Sequence, residues 1–178
     1  MIKIITTISL ILLTLFSFGN TDSTLVFDKL TFKYVNMYRK SNKVKNIKWS
    51  NELYSISKTH NKDLVDYNLI NTPKTNSVKL FHSGSNTYEN CLNGGMINET
   101  DIVTPELKEF INKYFNLKDL TTRDYIALNL IYIWHKSPNH RKNLLRKDVN
   151  VGSVNYTITP IKVKNIDLNI FFSTSNFK

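Results

Sequence analysis

The sequence predicts an α+β domain, a small sheet packed against helices, and three observations carry the prediction. Helical apolar spacing fills most of the chain up to residue 137. One short strand-like run, YENCL at 88–92, interrupts it. The C-terminal stretches VNVGSVNYTI and DLNIFFSTSNF are β-branched and aromatic, as the strands of a hairpin are.

The chain opens with a leader. Lys3 precedes an apolar run from Ile4 to Phe18, and Ser17 and Gly19 put small residues at the −3 and −1 positions of a cleavage site. The run is 15 residues long, short of the roughly 18 expected of a spanning helix. Residues 1–19 are therefore expected to be a secretory signal peptide and 20–178 a single domain without an integral membrane anchor. Phe27, Leu30, Tyr34 and Tyr38 then space a helix over 26–41. Ser50 caps the next one, with Trp49 stapled onto its first turn and Leu53, Ile56, His60, Leu64 and Tyr67 along one stripe. On that stripe His60 reads as a packed, hydrogen-bonded residue.

Residues 71–87 are rich in Asn, Ser, Pro and Gly and form a loop that contains KLFHSGS; Gly94-Gly95 closes the short strand after it. PELKEFINKYF, 105–115, reads as an amphipathic helix with Pro in its first turn. From Thr121-Thr122 a further helix runs through YIALNLIYIW and ends before Pro138. In it Trp134 is expected to be core and His135 surface.

At 178 residues the chain suits one domain. The remaining 159 residues lose roughly two-thirds of their unfolded surface on folding, enough for a core. Cys91 is the sole cysteine, so no internal disulfide forms; it is expected to be buried. The net charge is +10, mostly from Lys. It reads either as solvated basic surface or as attraction to anionic polymers or lipid headgroups outside the cell. No groove-reading motif accompanies it, and with the export signal this argues against a nucleic-acid partner. Asn98 and Asn155 match the glycosylation acceptor pattern.

Three residues at loop edges stand out: His82 in LFHSGS, Glu89 in YENC and His140 in SPNHRKNLL. Two imidazoles and a carboxylate can hold a divalent cation such as Zn²⁺ with one position open. They can equally form a hydrogen-bonded acid–base pair. Spacing alone does not choose.

The order of motifs resembles the CAP superfamily of cysteine-rich secretory, antigen 5 and pathogenesis-related proteins, in its bacterial SCP-like extracellular branch. The motifs are Asn36-Met37-Tyr38-Arg39, Ile47-Lys48-Trp49 with Leu53, Phe81-His82-Ser83, Tyr88-Glu89-Asn90, Trp134 with Ser137-Pro138-Asn139-His140-Arg141 and Leu144-Leu145, Gly152, and Ser175-Asn176-Phe177. The resemblance spans about residues 30–178. It implies a three-layer α-β-α sandwich with a central antiparallel sheet. It also implies a cleft holding two His and two Glu, of which His82, Glu89 and His140 match three. The fourth position falls on Ser137, and Tyr88 stands where that branch has Gly. The missing carboxylate implies weak metal binding, through His82 and His140, with Ser137 and Arg141 at the cleft rim; Arg141 alternatively only bonds the backbone of its turn.

The reading is a secreted, non-catalytic module that binds an extracellular protein, a lipid or an anionic cell-surface polymer. The alternative is a metal- or His-assisted extracellular hydrolase acting on peptide or cell-surface polymer. No base is seen to orient Ser83 or Ser137 as a nucleophile.

Overall fold

The computed structural model describes residues 21–75, 77–84, 87–95, 103–163 and 166–178. The expected signal peptide, residues 1–19, and Asn98 lie outside the described residues. Helix α1 spans Thr21–Ser41, strand β1 Lys48–Trp49, helix α2 Asn51–Thr75 and strand β2 Tyr88–Gly95. Helices α3 (Pro105–Tyr114), α4 (Thr122–Lys136) and α5 (Pro138–Leu144) follow, and strands β3 (Val151–Val163) and β4 (Ile166–Phe177) end the chain.

The local signals act as the sequence reading expected. The amide of Leu53 donates to Ser50 Oγ, and Trp49 packs on Tyr54 with ring centroids 5.0 Å apart, a cap and a staple at the start of α2. Thr104 caps α3, with Pro105 in its first turn. Thr121 and Asp124 form a reciprocal capping box on α4. The C-terminal hairpin is long and regular, in register from Val163↔Ile166 to Gly152↔Phe177.

The sheet order is β1-β3-β4-β2. Its long pairs are antiparallel, but the two-residue β1 runs parallel to β3, pairing Lys48 with Val151 and Trp49 with Gly152. The sheet is therefore mixed rather than wholly antiparallel; the parallel bridge comes from Trp49, which leads straight into α2.

Strand alternation sorts the layers. Val154, Tyr156, Phe171 and Phe177 face a large core with residues of α1, α3, α4 and α5, including Val35, Tyr38, Phe110, Ile131 and Trp134. Ile170 and Phe172 face Leu64 of α2 on the other side. The result is helices, sheet, helix, the expected three layers. Trp134 is fully buried.

The α2 face departs from its apolar stripe. Its buried residues are Leu53, Ser57, His60, Asn61, Leu64, Asn68 and Thr72, while Tyr67 is 36% exposed. Hydrogen bonds replace apolar contact: Ser57 Oγ lies 2.9 Å from Ser153 Oγ, Asn61 Nδ2 donates to Asn155 Oδ1 at 2.8 Å, and Thr174 donates to Asn61 Oδ1 at 2.6 Å. Every member has a partner, which makes a polar layer tolerable in a core. Asn155 is 2% exposed within this layer, so its acceptor sequence is out of reach in the folded protein.

His135 corrects another expectation. Instead of lying on the surface it is half-buried, with Nδ1 2.6 Å from the Tyr38 hydroxyl and its ring among Phe110, Tyr114 and Tyr38. Among the described residues no helix is long and apolar enough to cross a membrane.

Candidate functional site

The segment 77–84 enters the site pinned to α2. Asn68 bonds both the amide and the carbonyl of Lys79, at 2.8 and 2.9 Å. His60 Nε2 lies 2.9 Å from the Phe81 carbonyl oxygen, so His60 is the packed, hydrogen-bonded residue expected. Gly84 then takes φ +71°, a backbone conformation that favours glycine. Fixed in this way, the segment leaves the Leu80, Phe81 and His82 side chains exposed.

Strand β2 supplies the centre. Glu89 has 6% side-chain exposure, and donors surround its carboxylate. Oε1 accepts from His82 Nδ1 at 3.0 Å, the Ser83 amide at 3.1 Å and the Cys91 thiol at 3.0 Å, while Oε2 accepts from the Ser83 hydroxyl, so a carboxylate does orient Ser83, contrary to the sequence reading. His60 Nε2 stands 3.7 Å from Oε1. Burial is the largest influence on this carboxyl and pushes its pKa up. The Ser83 hydroxyl, the Cys91 thiol, the Ser83 amide and His60 together outweigh burial and hold the pKa below its ordinary value. Cys91 is buried, as expected, and burial together with the Glu89 charge keeps its thiol protonated.

Helix α5 is tied to the same strand. Asn143 Nδ2 donates to the Glu89 carbonyl at 3.1 Å and to Asn90 Oδ1 at 3.0 Å, and Asn90 Nδ2 donates to the His140 carbonyl at 3.1 Å. The His140 imidazole is lowered in pKa by burial and then by the charge of His82. His82 and Glu89 are thus in direct contact, and His140 is in electrostatic reach of His82. Ser137 bridges α4 and α5 as the residue between them, with no side-chain cap bond to α5. Arg141 is exposed, and its charge acts on Tyr38 and His135. Tyr88 is 39% exposed and lies under the Arg146 guanidinium, 3.4 Å from ring centroid to Cζ.

The sequence reading missed Asn68, Asn143 and the place of His60 and Cys91 beside Glu89. Asn68 and Asn143 lie on helices whose apolar spacing carries no mark for them. Cys91 carried a usable signal: it sits two residues from Glu89 on a strand, hence on the same face.

Beside the loop lies a cleft of about 250 Å³ lined by Ser55, Ile56, Thr59, His60, Asp63 and Ser83. An apolar ledge borders it. Phe81 packs edge-on against both Tyr67 and His60, each with ring centroids 5.5 Å apart, and Leu80 is 40% exposed beside it.

Comparison with known proteins gives the family. No curated protein matches the chain. Among solved structures, an outer surface protein from Borrelia burgdorferi is similar at a TM-score of 0.42 and 11% identity, covering 88% of this chain and 94% of its own. The family model described as CAP, cysteine-rich secretory protein family, matches residues 32–158. That span contains the Asn36–Arg39, Phe81–Ser83, Tyr88–Asn90 and Ser137–Arg141 motifs, and the chain belongs to the CAP family.

Proposed function

We propose that the protein is an extracellular CAP module that binds rather than catalyses, taking the apolar part of a lipid-like or protein partner on the Tyr67–Leu80–Phe81 ledge. The observation that carries this is the state of Glu89. Both of its oxygens are occupied by donors from its own loop and strand, so the carboxylate organises the loop instead of waiting for a substrate proton. By the resemblance to CAP proteins, Ser137 stands where a second carboxylate would complete an acid–base pair. The leader-like residues 1–19 and the family support an extracellular location.

Titration of a fluorescent fatty acid into residues 20–178 tests the reading. Binding should weaken about tenfold in Phe81→Ala, the scale of one aromatic ring losing its apolar contact, with the native circular dichroism spectrum retained. No turnover of casein or of a nitrophenyl ester should appear. Turnover lost in both His82→Ala and Glu89→Gln would establish the hydrolase alternative instead.

A further inference from the structure

We infer that His60, Glu89 and Cys91 form a buried, thiolate-containing site for a borderline-soft divalent cation of the Zn²⁺ class. Neither His60 nor Cys91 belongs to the His and Glu set implied by the resemblance to CAP proteins. The inference does not rest on lipid binding, which the fatty-acid titration reads separately.

The geometry is the first argument. Cys91 Sγ lies 3.5 Å from His60 Nε2 and 3.0 Å from Glu89 Oε1, and His60 Nε2 lies 3.7 Å from Glu89 Oε1. Zinc bonds of about 2.3 Å to sulfur and 2.0 Å to nitrogen and oxygen give tetrahedral edges of about 3.3–3.5 Å. The three atoms therefore already outline one face of a zinc tetrahedron, each edge within roughly half an ångström of its length in a formed site. Among the described residues this is the group of His, Cys, Asp and Glu whose ligand atoms lie within 4.8 Å of one another.

Charge is the second argument. One thiolate and one carboxylate neutralise a dication, which a buried site requires. A thiolate and an imidazole also select zinc over magnesium or calcium. Binding replaces the thiol proton with the metal and releases one proton to solvent. At the same time the His60 Nε2 contact to the Phe81 carbonyl gives way, the ring carrying its proton on Nδ1 instead. The Ser83 amide and hydroxyl on Glu89, and Thr174 Oγ1 at 3.8 Å from Cys91 Sγ, provide the outer support such ligands need. The approach runs through the cleft, where His60 and Ser83 form part of the wall. Water or His82, whose Nδ1 stands 3.0 Å from the same Glu89 oxygen, takes the fourth position.

Co²⁺ is the probe for the variants. The wild type should develop a sulfur-to-cobalt charge-transfer band in the near ultraviolet together with intense visible bands of four-coordination. Both should vanish in Cys91→Ser and His60→Gln and persist in His140→Ala. Because the first two substitutions are in the core, X-ray absorption of the Zn²⁺-loaded wild type gives a reading without mutation. One sulfur at about 2.3 Å is expected. A shell of nitrogen and oxygen alone, a cobalt spectrum lost in His140→Ala but kept in Cys91→Ser, or no metal uptake would each overturn the inference.

Discussion

Arg39 Nη1 lies 2.6 Å from the carbonyl oxygen of Leu144, so the buried end of α1 holds the last turn of the helix that carries His140. The same guanidinium donates to the carbonyls of Lys45 and Arg146, and Asn36 exchanges two hydrogen bonds with Ile47. The Asn-x-x-Arg element is thus a clamp on the scaffold behind the site. Arg39→Lys cannot reach three carbonyls at once and leaves buried acceptors unpaired. It should destabilise the fold by about 2–4 kcal/mol in urea unfolding, and His140 should show a changed proton resonance in the folded fraction.

Gly152 lies where β1, β3 and β4 converge. A Cβ there would meet Ile47 Cδ1 and Phe177 Cδ1, each at 2.8 Å, and the Asn176 carbonyl oxygen at 3.1 Å. Gly152→Ala should cost about 1–3 kcal/mol through overpacking, read as a lowered urea midpoint with an unchanged slope.

The pH dependence of stability should have opposing parts. The folded pKa of Glu89 is depressed, so its contribution is present above the unfolded value of 4.5 and is lost as pH falls through the folded one. The folded pKa of His140 is also lowered, from 6.5, so stability falls as pH drops below 6.5 and the unfolded chain takes up the proton. Asp28 works the other way. Burial pushes its carboxyl up to about 7 against the pull of Tyr54, Asn155 and the Tyr156 amide. Its contribution is full below 3.8 and is lost as pH rises through about 7. Asp28→Asn should therefore make stability rise more steeply with pH between these limits, and Glu89→Gln should flatten the acid limb. Urea midpoints measured across pH 3–8 check both.

We propose that export removes residues 1–19 near Gly19-Asn20, a reading that rests on the Lys3 start, the apolar run and the small residues before the cut. Mass spectrometry of the secreted protein should find a chain beginning at Asn20. A mature species retaining Met1 would remove the signal-peptide reading.

Much of the scaffold was legible because its signals are local. Ser50 with Trp49, Thr121 at the start of α4 and the β-branched terminal stretches each declare an element within a few residues. The buried face of α2 was not, since Ser57, Asn61 and Asn68 are polar and become core only by meeting Ser153, Asn155 and Lys79 across the fold. Apolar periodicity is blind to such pairs. His135 was misread for a related reason: its partners Tyr38 and Phe110 come from other helices. The contact between His82 and Glu89 was legible through ordered motifs. His60 and Cys91 were seen only as separate packed residues, because their meeting at Glu89 joins α2 to β2.

The central claim is that Glu89 fixes the 77–84 segment so that its apolar ledge is held ready to bind. Amide chemical-shift mapping of isotope-labelled residues 20–178 with octanoate is its most direct test. The account predicts that shifts concentrate at Tyr67, Leu80, Phe81 and His82, weaken in Phe81→Ala, and spread or vanish in Glu89→Gln as the segment loses its anchor. Shifts centred elsewhere, or consumption of an octanoyl ester that depends on His82 and Glu89, would contradict it.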